Sequence, residues 1–116
     1  MKSFYHATNG IISAFISERN LRIHFVLLCI CILCAIAFQC SSMEWCLIIL
    51  CSSMVISSEM VNTSLEKLSD HVHQDFHLAI KFVKDIAAGA VFISSIASFL
   101  IGLFIFIPKF SNALYS

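Results

Sequence analysis

The residues best suited to chemistry lie in one stretch, Glu59-Met-Val-Asn-Thr-Ser-Leu-Glu-Lys-Leu-Ser-Asp70. At about 100° per residue, Glu59, Asn62, Thr63, Glu66 and Asp70 all fall within an arc of ~100° on one helix face. The run just before them, Trp45 to Ile56, is apolar. Ionisable groups on the continuation of an apolar helix are costly at membrane depth and usually face an interior site. The plainer reading is a solvated helix end just past a membrane. It carries more weight for Glu66 and Asp70 than for Glu59, whose N-terminal side is mostly apolar or small.

Such a face suits phosphoryl transfer. That reaction needs positioning, metal charge and a base for the attacking hydroxyl, with little covalent chemistry from the protein. Mg²⁺ takes oxygen ligands, typically one or two carboxylates plus substrate phosphates. Glu18 and Glu66 can supply those carboxylates, and Glu59, nearest the lipid, suits a general base. Glu18 also stands four residues before Arg22, so a surface ion pair of little worth is its plainer reading. No G-x-x-x-x-G-K-[ST] string and no soluble-kinase signature occurs.

The elements that must position these groups follow from composition. Of 116 residues, 59% are hydrophobic and only 12% charged, which marks an all-α integral membrane protein rather than a soluble domain. One Pro and three Gly favour long helices. A formal net charge of zero implies no bulk attraction to nucleic acid. A chain this small cannot enclose a large polar cavity alone, and oligomers are a natural way to build a site between chains. The six cysteines, at 29, 31, 34, 40, 46 and 51, lie mostly inside apolar runs and read as small hydrophobes. A Cys40–Cys46 disulfide has no support beyond spacing.

Residues 3–17 carry Phe4, Ala7, Ile11 and Phe15 at helical spacing and predict an amphipathic helix on the membrane surface. Gly10 inside it would allow close approach of a ligand or another helix, or is simply tolerated. Spans are expected over about 21–42, 45–66 and 86–107, all in one domain covering residues 1–116. Ala35-Ile-Ala37 resembles a signal-peptidase site, but the apolar core begins too far from the start, and a retained span is favoured. Trp45 is placed to anchor at an interface. Residues 67–85 read as a polar connection, and Pro108-Lys109 as the end of the third span. Six of the seven Lys and Arg lie on one side of this arrangement, with only Lys109 on the other. The positive-inside rule therefore puts the Glu59–Asp70 face at the cytoplasmic boundary. Ala90, Ser94, Ser98 and Gly102 place a small residue every four positions, a stripe that would let another helix approach closely.

Together, Glu59-x-x-Asn62-Thr63-x-x-Glu66-x-x-x-Asp70, then His77 and Lys84-Asp85 before an Ala/Gly-rich span, resemble the prokaryotic diacylglycerol kinases. The resemblance runs from Phe4-x-x-Ala7-x-x-Gly10 to Pro108. Glu18-Arg-Asn-x-Arg-Ile-His24, Glu44-Trp45, Ala87-Ala-Gly-Ala-Val91 and Ile105-Phe-x-Pro108-Lys109 look more like the undecaprenol-kinase branch. Lys67-Leu-Ser69, His71 and His73 depart from the usual pattern. The resemblance implies a small lipid kinase with a surface helix and three spans in the inner membrane. It implies Glu59 as base with Asn62 beside it, and Glu18 and Glu66 on Mg²⁺ and ATP. Asp75, His77, Lys84 and Asp85 would contact the nucleotide, although apart from the resemblance each reads more readily as a solvated loop charge. Glu59, Gly10 and Trp45 would meet the lipid. The resemblance also implies a homotrimer with sites shared between chains.

Two other classes compete. A small transporter or proton relay could use Glu59 and Glu66, but such proteins place charges near the bilayer midplane and break their helices there. A non-enzymatic assembly partner would leave the carboxylate face unexplained. Undecaprenol and diacylglycerol both present a primary hydroxyl at the interface, and no side chain separates them by itself.

Overall fold

The computed structural model describes residues 2–72 and 78–115. Among these it holds four helices and no strand: α1 (Lys2–Ser17), α2 (Arg19–Ala37), α3 (Ser42–Val72) and α4 (Leu78–Tyr115). The last three are long and apolar enough to cross a membrane. The protein is an all-α, multi-pass membrane protein with an additional N-terminal helix.

Helix lengths explain where polar groups can emerge. At ~1.5 Å per residue, the 31 residues of α3 span roughly 46 Å, against a hydrocarbon core of about 30 Å. A polar segment of several turns therefore extends past the apolar layer without a break in the helix. The described parts of the polar connection, 67–72 and 78–85, are helical: α3 runs to Val72 and α4 begins at Leu78. Nor does Pro108 end the last helix, which continues to Tyr115. A proline ring fits helical φ and forfeits only the hydrogen bond to the carbonyl four residues back, here that of the exposed Phe104.

The inward faces follow a heptad. On α3 the shielded positions Ile48, Ser52, Val55, Glu59, Asn62, Glu66 and Ser69 alternate in steps of four and three. On α4 they are Ala87, Val91, Ser94, Ser98, Ile101 and Ile105, again alternating. This is the seam of two closely packed antiparallel helices. The small-residue stripe is corrected accordingly. Ser94 and Ser98 face inward, but Ala90 is exposed and a Cβ on Gly102 would meet nothing within 4 Å. Strict steps of four drift by ~40° each on a helix of ~3.6 residues per turn, so they leave a seam that alternating steps follow. Ser98 Oγ donates to the Cys51 carbonyl at 3.3 Å across the pair.

The end of the bundle away from Glu59 is tightly specified. Ala35, Ile48 and Ile105 form a small core against which Trp45 packs. Between α2 and α3, Gln39 adopts a left-handed φ of 54°. Cys40 N–H donates to Ala35 O at 3.0 Å and Gln39 N–H to Ile36 O at 3.2 Å, the double bond pattern that closes many helix C-termini. α3 then opens on a capping box: Glu44 Oε1 accepts from Ser41 N–H at 2.9 Å while Ser41 Oγ accepts from Glu44 N–H at 3.2 Å. Glu44 also pairs with Lys109 at 3.0 Å, tying the start of α3 to the far end of α4. All six cysteines are free.

Candidate active site

The same stripe that is apolar at Ile48 and Val55 becomes polar at Glu59, Asn62 and Glu66. Burial does not stop where the polarity begins: Glu59 is 4% exposed, Asn62 8% and Thr63 6%. Asn62 Nδ2 donates to Glu66 Oε1, one turn on, at 3.1 Å. Asn62 Oδ1 is buried with no hydrogen-bond partner among the described residues. Buried acceptors are nearly always satisfied, so an orphan carbonyl oxygen beside a carboxylate is a place for something from outside the chain.

α2 brings its own groups to this face. Glu18 caps α2 in extended conformation and makes no side-chain capping bond, which leaves its carboxylate free to turn toward α3. There it lies 3.9 Å from Lys67. It does not pair with Arg22, whose guanidinium instead donates to the Phe15 and Ile16 carbonyls at 3.0 and 2.6 Å and closes the end of α1. His24 Nε2 sits 4.0 Å from Glu59 Oε2, and the Asn20 amide is directed at the same carboxylate. Glu18 and Glu66 are both within electrostatic reach of Glu59.

Three carboxylates gathered this way repel one another, and a cation relieves that repulsion. Among the described residues, no three His, Cys, Asp or Glu side chains come close enough to hold a metal ion by themselves. Mg²⁺ takes one or two protein carboxylates and fills the rest of its shell with substrate phosphates and water, so Glu18 and Glu66 could hold one only together with such ligands.

α4 contributes less directly. Lys84 pairs with Asp70 and Lys81 with Asp85. Asp70 is therefore not part of the buried face: its side chain is 67% exposed and ties α3 to α4. Lys84 and Asp85 lie on the first two turns of α4. Asp75 and His77 fall outside the described residues. Gly10 lies on the exposed α1 with open space around it. Trp45 is fourteen residues before Glu59, roughly 21 Å along the same helix, and is not brought to the carboxylates.

An apolar groove of about 570 Å³ runs between α2, α3 and α4 from His24 to Phe106. His24 thus touches both the groove and Glu59. Sequence reasoning missed it, along with Asn20 and Lys67. A signal was present for His24: Leu21, His24, Leu28, Cys31 and Ala35 share the heptad face of α2.

Three apolar spans with a buried polar stretch, Glu59, Asn62 and Thr63, near one end of α3 describe a membrane protein with a candidate site at that end, beside which the groove-lining His24 stands. Comparison with known proteins agrees. Residues 5–106 match the family described as prokaryotic diacylglycerol kinase. The chain is 38% identical over 108 residues to the undecaprenol kinase of Bacillus subtilis, covering 93% of this chain and 88% of that one. It is 35% identical over 107 residues to a diacylglycerol kinase of Synechocystis, covering 91% of this chain and 61% of that protein. A diacylglycerol kinase of Helicobacter pylori is 32% identical over 95 residues, 82% of this chain and 74% of the other. The protein belongs to the prokaryotic diacylglycerol kinase family and is an ATP-dependent lipid kinase.

Proposed function

We propose that the protein phosphorylates undecaprenol, or a closely similar polyprenol, to the corresponding lipid phosphate, on the cytoplasmic side of the inner membrane. One observation carries this reading: the buried Glu59 lies 4.0 Å from His24, which lines an apolar groove, and within electrostatic reach of Glu18 and Glu66. The lipid's hydrocarbon tail lies in the groove, with its hydroxyl at Glu59. Glu59 takes the hydroxyl proton as the oxygen attacks the γ-phosphorus of ATP, and ADP leaves. Glu18 and Glu66 would hold Mg²⁺. That ion, when bound, supplies positive charge for the phosphate oxygens. Asn62 keeps Glu66 in place through its amide. Lys84, Asp85, Asp75 and His77 form the nucleotide's side of the site. Gly10 and Trp45 contact lipid away from the reacting hydroxyl.

The choice of undecaprenol over diacylglycerol rests on likeness to the Bacillus subtilis enzyme across nearly the whole of both chains. The Synechocystis and Helicobacter relatives favour diacylglycerol as the second reading. The cytoplasmic side rests on Lys2, Arg19, Arg22, Lys67, Lys81 and Lys84, which lie toward the Glu59 end. A homotrimer with shared sites would cover apolar α4 surface such as Phe92, Phe99 and Phe104.

The test is direct. Purified protein in detergent receives ATP and Mg²⁺ with undecaprenol or diacylglycerol in parallel, and the lipid product is weighed by mass spectrometry. Faster turnover of undecaprenol is expected. Phosphatidic acid as the main product would replace this reading with the second, and no phospholipid product from either would overturn both.

A further inference from the structure

The carboxylate proposed as base has an unusual setting. Its side chain is 5% exposed, and its neighbours on α3 are engaged with each other: Asn62 donates to Glu66. A carboxylate side chain on a helix has several rotamers, and without an external contact nothing would hold Glu59 toward the groove. The group that reaches it from the groove is His24. Its Nε2 lies 4.0 Å from Glu59 Oε2, and its ring forms part of the groove wall. Unlike the exposed ion pairs at Lys84 and Lys81, this contact between α2 and α3 is shielded on both sides, at 23% and 5% exposure. A separation of 4.0 Å exceeds a hydrogen bond, and contacts of this kind commonly tighten once substrate is bound.

We propose that His24 is the positioning residue of the acceptor subsite. Its Nε2–H holds the Glu59 carboxylate at the mouth of the groove, so that a hydroxyl arriving along the groove meets the base in line with the phosphate. The ring acts through Glu59 and takes no bond-making part. This rests on the proposed role of Glu59. It assigns to α2 a share of the acceptor side of the reaction, beside the metal-holding share given to Glu18. Asn20 supports the same carboxylate from one turn earlier on α2 and is too exposed to hold it alone.

Side-chain length supplies the test. His24→Gln keeps an N–H donor at nearly the distance of Nε2, whereas His24→Asn keeps an amide that falls short, and both are polar residues of similar bulk. Full-length protein in one detergent is assayed with Mg²⁺-ATP and undecaprenol, with separate kcat and KM for each substrate. His24→Asn should lose roughly 10²-fold in kcat, the usual consequence of misplacing a catalytic group by about 1 Å. Its KM for ATP should stay within about twofold, a bound set by taking His24 to touch only the acceptor side. His24→Gln should recover most of that loss. In a Glu59→Gln background, His24→Asn should cost little more, since both changes act on one group. Equal activity of the two His24 variants, or a loss that appears equally in KM for ATP, would overturn the proposal. Should Glu59→Gln itself turn over normally, the reading of Glu59 as base fails first, and that outcome is separate from a failure confined to His24.

Discussion

Glu59 is a buried acid at the point where an apolar stripe becomes polar, and its proposed duty is to remove one proton. Glu59→Gln keeps the shape and removes the basicity. Turnover should drop by roughly 10²–10⁴-fold while ATP binding and thermal unfolding hold steady. Wild-type turnover in the purified variant would remove Glu59 from the mechanism. Glu18 and Glu66 present a different case because they stand on separate elements and are proposed to share one ion. Glu18→Gln and Glu66→Gln should each raise the Mg²⁺ concentration for half-maximal activity, and the double variant should show less than the combined effect. A Mg²⁺ titration unchanged in both single variants would dismiss the pair as metal ligands. The Lys67–Glu18 contact at 3.9 Å sets a flexible ammonium beside that carboxylate.

Helix α4 meets α3 along an alternating seam, and its best-placed small residue is Ser98, whose hydroxyl bonds the Cys51 carbonyl. Ser98→Leu adds bulk where two backbones approach and removes that bond. The expected cost is about 1–3 kcal/mol, by analogy with overpacked cores. Phe99 is one residue on, 67% exposed, and Phe99→Leu should be nearly silent in the chain itself. Unfolding in graded denaturing detergent, run on both variants, measures the difference. A stable Ser98→Leu beside a destabilised Phe99→Leu would mean the seam lies on another face. At the start of α3, Ser41→Ala removes one arm of the capping box and should cost about 1 kcal/mol. That change lies at the far end of the bundle from Glu59, so kcat should not follow it.

The molecule as a whole places its acidic face at one end of long antiparallel helices and the Glu44–Lys109 pair at the other. The two ends must lie on opposite sides of a bilayer if α3 spans it. Single cysteines at Met43 and His71, both exposed, in a background lacking the six native cysteines, test this. An impermeant thiol reagent added outside intact cells should label position 43 and spare 71. Labelling of both from one side would discard the three-span topology and with it the cytoplasmic site. The extent of exposed apolar α4 surface also bears on assembly. If copies share a site, chemical cross-linking in mild detergent should trap trimers, and Ser98→Leu should lower trimer yield and turnover together.

Much of this was legible without coordinates. Composition set the membrane class, because a chain 59% hydrophobic has too few polar groups to cover a soluble surface. Spacing placed Glu59, Asn62 and Glu66 on one face, because helical periodicity is a local property that any uninterrupted helix obeys. The third span followed from 22 apolar residues between Ile86 and Ile107. What periodicity could not decide was which side chains on different helices meet. Asp70 shares the arc of Glu59 yet turns to Lys84, because α4 passes close enough there to claim it. Glu18 stands four residues from Arg22, a spacing that suits an ion pair, yet its partner is Lys67, 49 positions away. The stripe on α4 was read one register off at Ala90 and Gly102, since a seam is chosen by two helices jointly. His24 closes a string that carries the family resemblance, but its place beside Glu59 exists only once α2 folds against α3. Local periodicity is written in one segment of chain, whereas the pairing of segments depends on how whole faces fit, and that fit exists only in the folded protein.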